Sequence, residues 1–220
     1  KPDNGRYAGI DLGVNNLAVV CNNVGMPAIA ISGRPLKSVN QYYNKKTAHF
    51  TEVCRRMNGG NRSRRLDALA RVRNHRTDDY LHKASRKIVD FCAENDISRI
   101  VIGKNDGWKQ GASLPKKTNQ LFVQIPYARF IQMIQYKAEE KGIAVILTEE
   151  SYTSGTSFID DEMPEQRYYN AARRVHRGLF ISNDGTGINA DLNASYQIVK
   201  KVVPIKWDRG WGLHPVVVNA

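Results

Sequence analysis

Apolar residues in the first third of this chain come in short bursts separated by turn residues, the pattern of strands rather than helices. Tyr7-Ala-Gly-Ile-Asp-Leu-Gly reads as a strand ending in an acidic residue and a glycine turn. Leu17-Ala-Val-Val-Cys and Ala28-Ile-Ala-Ile read as two more, parted by Asn22-Asn23-Val24-Gly25, so an antiparallel meander is expected. The period then lengthens. Leu81, Ala84, Ile88 and Phe91 recur at helical spacing, and Met57-Asn58-Gly59-Gly60-Asn61 breaks two helices apart. Arg99-Ile-Val-Ile-Gly103 is a β-branched buried strand, followed by a polar loop from Lys104 to about Gln120. Pro126 stands where a helix begins, and that helix should run through Tyr127, Phe130, Ile131 and Ile134 to Gly142. Ile143-Ala-Val-Ile-Leu is the next strand and leads directly into Glu149-Glu150.

Residues from about Ser151 to Asn189 are polar and irregular, with a hairpin expected around Leu179-Phe-Ile and Gly187-Ile188. A last helix starts near Asn189 and reaches Val203 before Pro204. Strands, helices, then strand–helix–strand and a terminal helix give an α/β fold with a mixed sheet flanked by helices. The crossover from the Ile100 strand to the Val145 strand should be parallel and right-handed. The expected organisation is a core over 1–150 with a basic helical insertion at about 35–97, a small insertion over 151–188, and the last helix and tail over 189–220.

Composition adds one departure from the ordinary. Hydrophobic residues at 41% and charged residues at 25% exclude a disordered chain, but 33 Lys and Arg against 21 Asp and Glu leave +12. Such an excess points to a polyanion, with nucleic acid the first candidate. It is concentrated in Arg55, Arg56, Arg62, Arg64, Arg65, Arg71, Arg73 and Arg76, a block that should attract phosphates with steep salt dependence. Cys21, Cys54 and Cys92 are far apart with no CxxC pair, which argues against a disulfide framework and a cysteine zinc site. With no apolar run long enough to span a membrane and no signal peptide before the first strand, a reducing, cytoplasmic, nucleoid-associated bacterial setting is expected. The chain opens at Lys1 without Met, as a fragment or a processed chain does.

The candidate chemistry lies in carboxylates at element ends. Asp11 ends the first strand, Glu149 and Glu150 end the strand after the Pro126 helix, and Asp191 opens the last helix in Asn189-Ala-Asp-Leu-Asn-Ala. Separately each has a plain structural reading, as a turn residue, a solvated strand end or a first-turn acid favoured by the helix dipole. In an RNase H-type sheet they would converge. Asp11, Glu149 or Glu150, and Asp191 could then hold two hard divalent cations, Mg²⁺ or Mn²⁺, about 4 Å apart for phosphodiester hydrolysis.

At these residues the chain resembles a known family. Gly9-Ile-Asp-Leu-Gly-Val-Asn-Asn-Leu-Ala is similar to the first RuvC motif of the TnpB proteins of insertion sequences and of the related type V CRISPR effectors. Asn189-Ala-Asp-Leu-Asn-Ala-Ser-Tyr-Gln-Ile resembles their third motif, in which the Asp is a metal ligand. Ser151-Tyr-Thr-Ser resembles the lead into the family's zinc ribbon. The resemblance implies a RuvC-like, RNase H-fold endonuclease domain acting on DNA, with a guide RNA as partner of the full-length protein and no membrane. The family's amino-terminal, guide-binding region is expected to be missing here.

Two departures from the family stand out. Gly103-Lys104-Asn105 occupies the place of the usual second-motif glutamate, with no carboxylate until Asp106. The expectation is that the glutamate has moved to Glu150, or to Glu149. Thr153-Ser-Gly-Thr-Ser-Phe and Phe180-Ile-Ser-Asn replace the two CxxC pairs, so no zinc is expected. Arg173, Arg174, His176 and Arg177 could grip the scissile strand. Lys104 and Lys109 could meet nucleic-acid backbone, and Trp108 could stack on a base. The alternatives are a nuclease-dead, RNA-guided DNA-binding repressor and an actin-like ATPase, the latter disfavoured by Asn15-Asn16 after the glycine turn.

Overall fold

The computed structural model describes residues 2–104, 123–176 and 178–220. Asp106, Trp108, Lys109 and Arg177 lie outside the described residues. Three strands open the chain: β1 (Tyr7–Leu12), β2 (Asn16–Asn22) and β3 (Ile29–Ser32). They pair antiparallel as a meander. Two long helices follow, α1 (Arg34–Asn58) and α2 (Arg64–Glu94). Pro35 in the first turn of α1 costs no hydrogen bond, and the Ser63 hydroxyl caps α2 by accepting from Leu66 N. Next come β4 (Arg99–Gly103), α3 (Tyr127–Glu140) and β5 (Ala144–Thr148). The small hairpin β6 (Phe180–Ile181) and β7 (Gly187–Ile188) precedes α4 (Ala190–Lys200), and β8 (Val216–Val218) comes last.

The sheet order is β5-β4-β1-β2-β3-β8. Strands β4 and β1 pair in parallel, as do β4 and β5. The carboxyl ends of these three strands therefore share one edge. Alternation along each strand then sorts side chains between two cores. Ala8, Ile10, Leu12, Ile100 and Ile102 face α1, α2 and α3, in a core with Leu81, Ile88, Phe130 and Ile134. Val19, Cys21 and Val101 face α4, where Leu192, Tyr196, Ile198 and Val199 cover them with Phe158 and Phe180 from the insertion. Asp11, out of phase with Ile10 and Leu12, thus belongs to the α4 side.

One expectation needs correction: the last helix stops at Lys200 rather than Val203. The tail also supplies β8, which extends the sheet by pairing parallel with β3. Among the described residues, no helix is long and apolar enough to cross a membrane. The cysteines are unpaired, with Cys21 and Cys92 buried, and burial pushes the Cys21 thiol up to about 12.

Candidate active site

Each carboxylate is set by the element that ends or begins beside it. Asp11 sits in the last turn of the pleat of β1, on the central strand. Glu149 and Glu150 follow β5 immediately, two strands away on the same edge. Asp191 lies in the first turn of α4, whose Asn189 cap accepts from the amides of Asp191 (3.1 Å) and Leu192 (3.0 Å). A cleft of about 430 Å³ contains Asp11, Glu150 and Arg174. Asp191 borders a second cleft beside Asn16 and Arg34.

Electrostatics tie the three acids together. Burial first, then the charges of Asp191 and Glu150, push the Asp11 carboxyl well above the usual range, while Arg174 pulls it partly back. Asp191 is held at both oxygens: Arg174 Nη2 donates to Oδ1 at 2.9 Å and Asn16 Nδ2 donates to Oδ2 at 3.0 Å. Nearby, the Tyr127 hydroxyl donates to the Gly13 carbonyl at 2.9 Å and so ties α3 to the turn after Asp11.

The two glutamates part company. Glu149 accepts from the Ser151 hydroxyl and lies 3.9 Å from Lys201 Nζ, on the outer side. Glu150 turns into the cleft. Its Oε2 lies 3.0 Å from where a Cβ on Gly103 would be, and Ile198 Cδ1 lies 2.6 Å from the same point. The glutamate carboxylate thus fills space beside the strand end that carries no acid of its own.

Three carboxylates with no nitrogen or sulfur donor are suited to a hard divalent cation. The mutual repulsion felt at Asp11 is what such a cation would neutralise. Among the described residues, however, no three His, Cys, Asp or Glu side chains stand close enough to form a coordination shell as they are. Arg174 and Asn16 hold Asp191 instead.

The predicted cationic residues divide by position. Arg55, Arg56, Arg62, Arg64, Arg65, Arg71 and Arg76 are exposed on the α1–α2 pair, and Lys104 is exposed just past β4. Several of them make surface contacts, such as Arg56 with Glu52 at 2.9 Å and Arg65 over the Phe50 ring at 4.2 Å. Arg73 is half-buried and spent on Asn40 Oδ1 and the Gln124 carbonyl. Arg173 also turns inward, only 12% exposed, with its guanidinium bound to Asp160 and Glu162 and set over the Phe180 ring. Its neighbour Arg174 is the one that reaches the carboxylates. Sequence reasoning assigned no role to Asn16 or to the tyrosines of the cleft. Asn16 and Tyr152 do lie in family-like runs, but their roles arise from contacts between distant segments.

A mixed six-stranded sheet with carboxylates at one edge and a closing helix above its central strand is the RNase H-like, RuvC-type fold. Residues 1–109 match the OrfB_IS605 family, described as a probable transposase, and residues 127–198 match the Cas12f1-like TNB domain family. The chain is thus similar to the TnpB-type transposase proteins over its first half and to the Cas12f effectors over its second. It is 27% identical over 216 residues to the CRISPR-associated endodeoxyribonuclease Cas12f2 of Micrarchaeota archaeon (strain CG1_02_47_40), covering 91% of this chain and 38% of that protein. It is 25% identical over 212 residues to the TnpB-like protein ORF457 of Acidianus two-tailed virus, covering 93% and 44%. The chain therefore spans less than half the length of these curated relatives. Its fold is similar to that in the CRISPR-Cas12f ternary complex, with TM-score 0.71 and 19% identity over 94% of this chain and 40% of that one. The same holds for the Cas12f1–sgRNA–target DNA complex, with TM-score 0.65 and 20% identity over 90% and 50%.

Proposed function

We propose that this chain is the nuclease core of an RNA-guided, transposon-associated, TnpB-like protein that hydrolyses DNA phosphodiester bonds with divalent metal. The observation that carries this reading is the placement of Asp11, Glu150 and Asp191 at one sheet edge, with Asp11, Glu150 and Arg174 in one cleft and Arg174 paired with Asp191. Asp11, Glu150 and Asp191 would hold Mg²⁺ or Mn²⁺, with Glu149 an outer neighbour. When bound, such ions supply an activated water and charge stabilisation at the leaving oxygen.

The chain's own residues do the rest. The Asn189 cap and Asn16 orient Asp191, and Arg174 offers a guanidinium to a phosphate entering the cleft. Glu150 stands in for the missing second-motif glutamate, a reading supported by its nearness to Gly103. The exposed arginines of α1 and α2, with Lys104, provide the phosphate-binding surface for DNA and, in the full-length protein, guide RNA. In the insertion, the Arg173–Asp160–Glu162 cluster takes the structural place of zinc. Stoichiometric zinc in the purified protein, read by elemental analysis, would refute that last point.

The deciding experiment is cleavage of labelled single-stranded DNA in Mn²⁺ beside an Asp191→Ala control. Cleavage that disappears in the variant supports the reading. A second reading, an RNA-guided DNA-binding repressor without cleavage, is favoured by the pairing of Asp191 with Arg174. It predicts DNA binding with no cleavage even when the guide-binding half is supplied.

A further inference from the structure

Beside Asp11, Glu150 and Arg174, the same cleft is lined by two tyrosines, Tyr152 and Tyr169. Both rings are open to solvent, at 39% and 43% exposure. They meet edge to face, with centroids 5.9 Å apart and planes at 71°. An edge-on pair leaves aromatic face free for a third planar group.

The backbone is bent to keep them there. Tyr152 has φ 66, in the left-handed region that a bulky side chain occupies only when surrounding bonds over-determine it. Those bonds are present. Thr156 Oγ1 donates to the Tyr152 carbonyl at 2.9 Å, and Thr153 Oγ1 donates to the Glu150 carbonyl at 2.8 Å. The second ring has its own seat. A Cβ on Gly155 would stand 2.5 Å from Tyr169 Cε2, so only glycine lets the ring lie against the chain here. The next residue secures it, since Asn170 N donates to the Gly155 carbonyl at 2.9 Å.

Strain and a glycine seat that hold two partly exposed aromatic rings at the cleft, rather than in the adjacent core, point to a ligand with a flat face. The Arg174 guanidinium in the same cleft adds a phosphate to that ligand's chemistry. We propose that Tyr152 and Tyr169 form a base-stacking platform that takes an unpaired base of a single DNA strand beside the phosphate to be cut. This rests on the nuclease reading and adds a selection rule to it. A base within a duplex has both faces covered by its neighbours, so it reaches the platform only after unstacking. Every base has a π-face, so the platform discriminates strandedness and not sequence.

The test is fluorescence anisotropy of a short labelled oligo(dT) and of a duplex of equal length, without metal, so that binding is read whether or not the chain cleaves. The wild type is expected to bind the single strand more tightly than the duplex. Tyr152→Ala and Tyr169→Ala should each weaken oligo(dT) binding roughly tenfold and leave duplex binding unchanged. Tyr→Phe at either position should retain it, and Gly155→Ala, which drives the Tyr169 ring off its seat, should behave like Tyr169→Ala. Unchanged duplex binding also certifies that the variants fold. Alanine variants that bind oligo(dT) as the wild type does, or a wild type that prefers duplex or binds neither, would overturn the proposal. Adding Mn²⁺ separates the two ideas. Cleavage with tyrosine-independent binding sinks the platform alone, whereas tyrosine-dependent binding with no cleavage, even when the guide-binding half is supplied, sinks the nuclease reading alone.

Discussion

A methyl group added at Gly103 would meet Ile198 Cδ1 at 2.6 Å and Glu150 Oε2 at 3.0 Å, so Gly103→Ala asks whether the Glu150 carboxylate must stand where it does. The isoleucine tip can give way, and the stability cost should be about 1–2 kcal/mol. Mn²⁺-dependent cleavage should fall at least tenfold, measured on the folded fraction. Glu150→Ala should cost on the order of a hundredfold in the cleavage rate, because a metal ligand carries several kcal/mol of transition-state stabilisation. Glu149→Ala, whose carboxylate is turned toward Ser151 and Lys201, should cost little. Equal losses in the two variants would defeat the assignment of Glu150. At this scale the sequence was informative where an acid ends an element: Asp11 before a glycine turn, Asp191 behind an asparagine cap. It could not separate Arg173 from Arg174. The two lie in an aperiodic segment, and only the fold sends one inward and the other to the cleft.

The insertion between β5 and α4 is held by polar groups that are scarcely hydrated. Arg173 is 12% exposed, Asp160 14% and Glu162 13%. Removing the cation strands two carboxylates, so Arg173→Ala should destabilise by about 2–4 kcal/mol in urea unfolding. A triple Arg173→Met, Asp160→Asn, Glu162→Leu variant should recover part of that loss. Farther along, Lys200 at the end of α4 and Lys206 hold the Asp161 carboxyl below its ordinary value. A depressed carboxyl contributes stability that is fully present above the unfolded pKa near 4 and is lost as pH falls through the lowered folded value. Asp161→Asn should therefore lower stability at neutral pH and flatten the acid limb of a melting-temperature profile. Strands and helices with a clear period were legible from sequence. β8 was not, because three valines after Pro215 carry too little pattern, and it is pairing with β3 that makes them a strand.

For the molecule as a whole, charge and topology act on different lengths. The exposed arginines on and between α1 and α2 make a surface whose affinity for DNA should fall steeply with salt. Changing Arg64, Arg65 and Arg71 together to Ala should reduce the slope of log K against log salt by roughly 2–3, read by titration across ionic strengths. A slope equal to that of the wild type would place the phosphates elsewhere. The basic block was visible in the sequence, though not the withdrawal of Arg73 into the gap between helices. The placement of the carboxylates has a temporal consequence too. Asp11 lies on the central strand, Glu150 after the outermost parallel strand, and Asp191 on the last helix. A ribosome delivers them in that order, with the insertion between the last two. A growing chain would thus carry the arginines of α1 and α2 well before all three acids of the proposed metal site have been made.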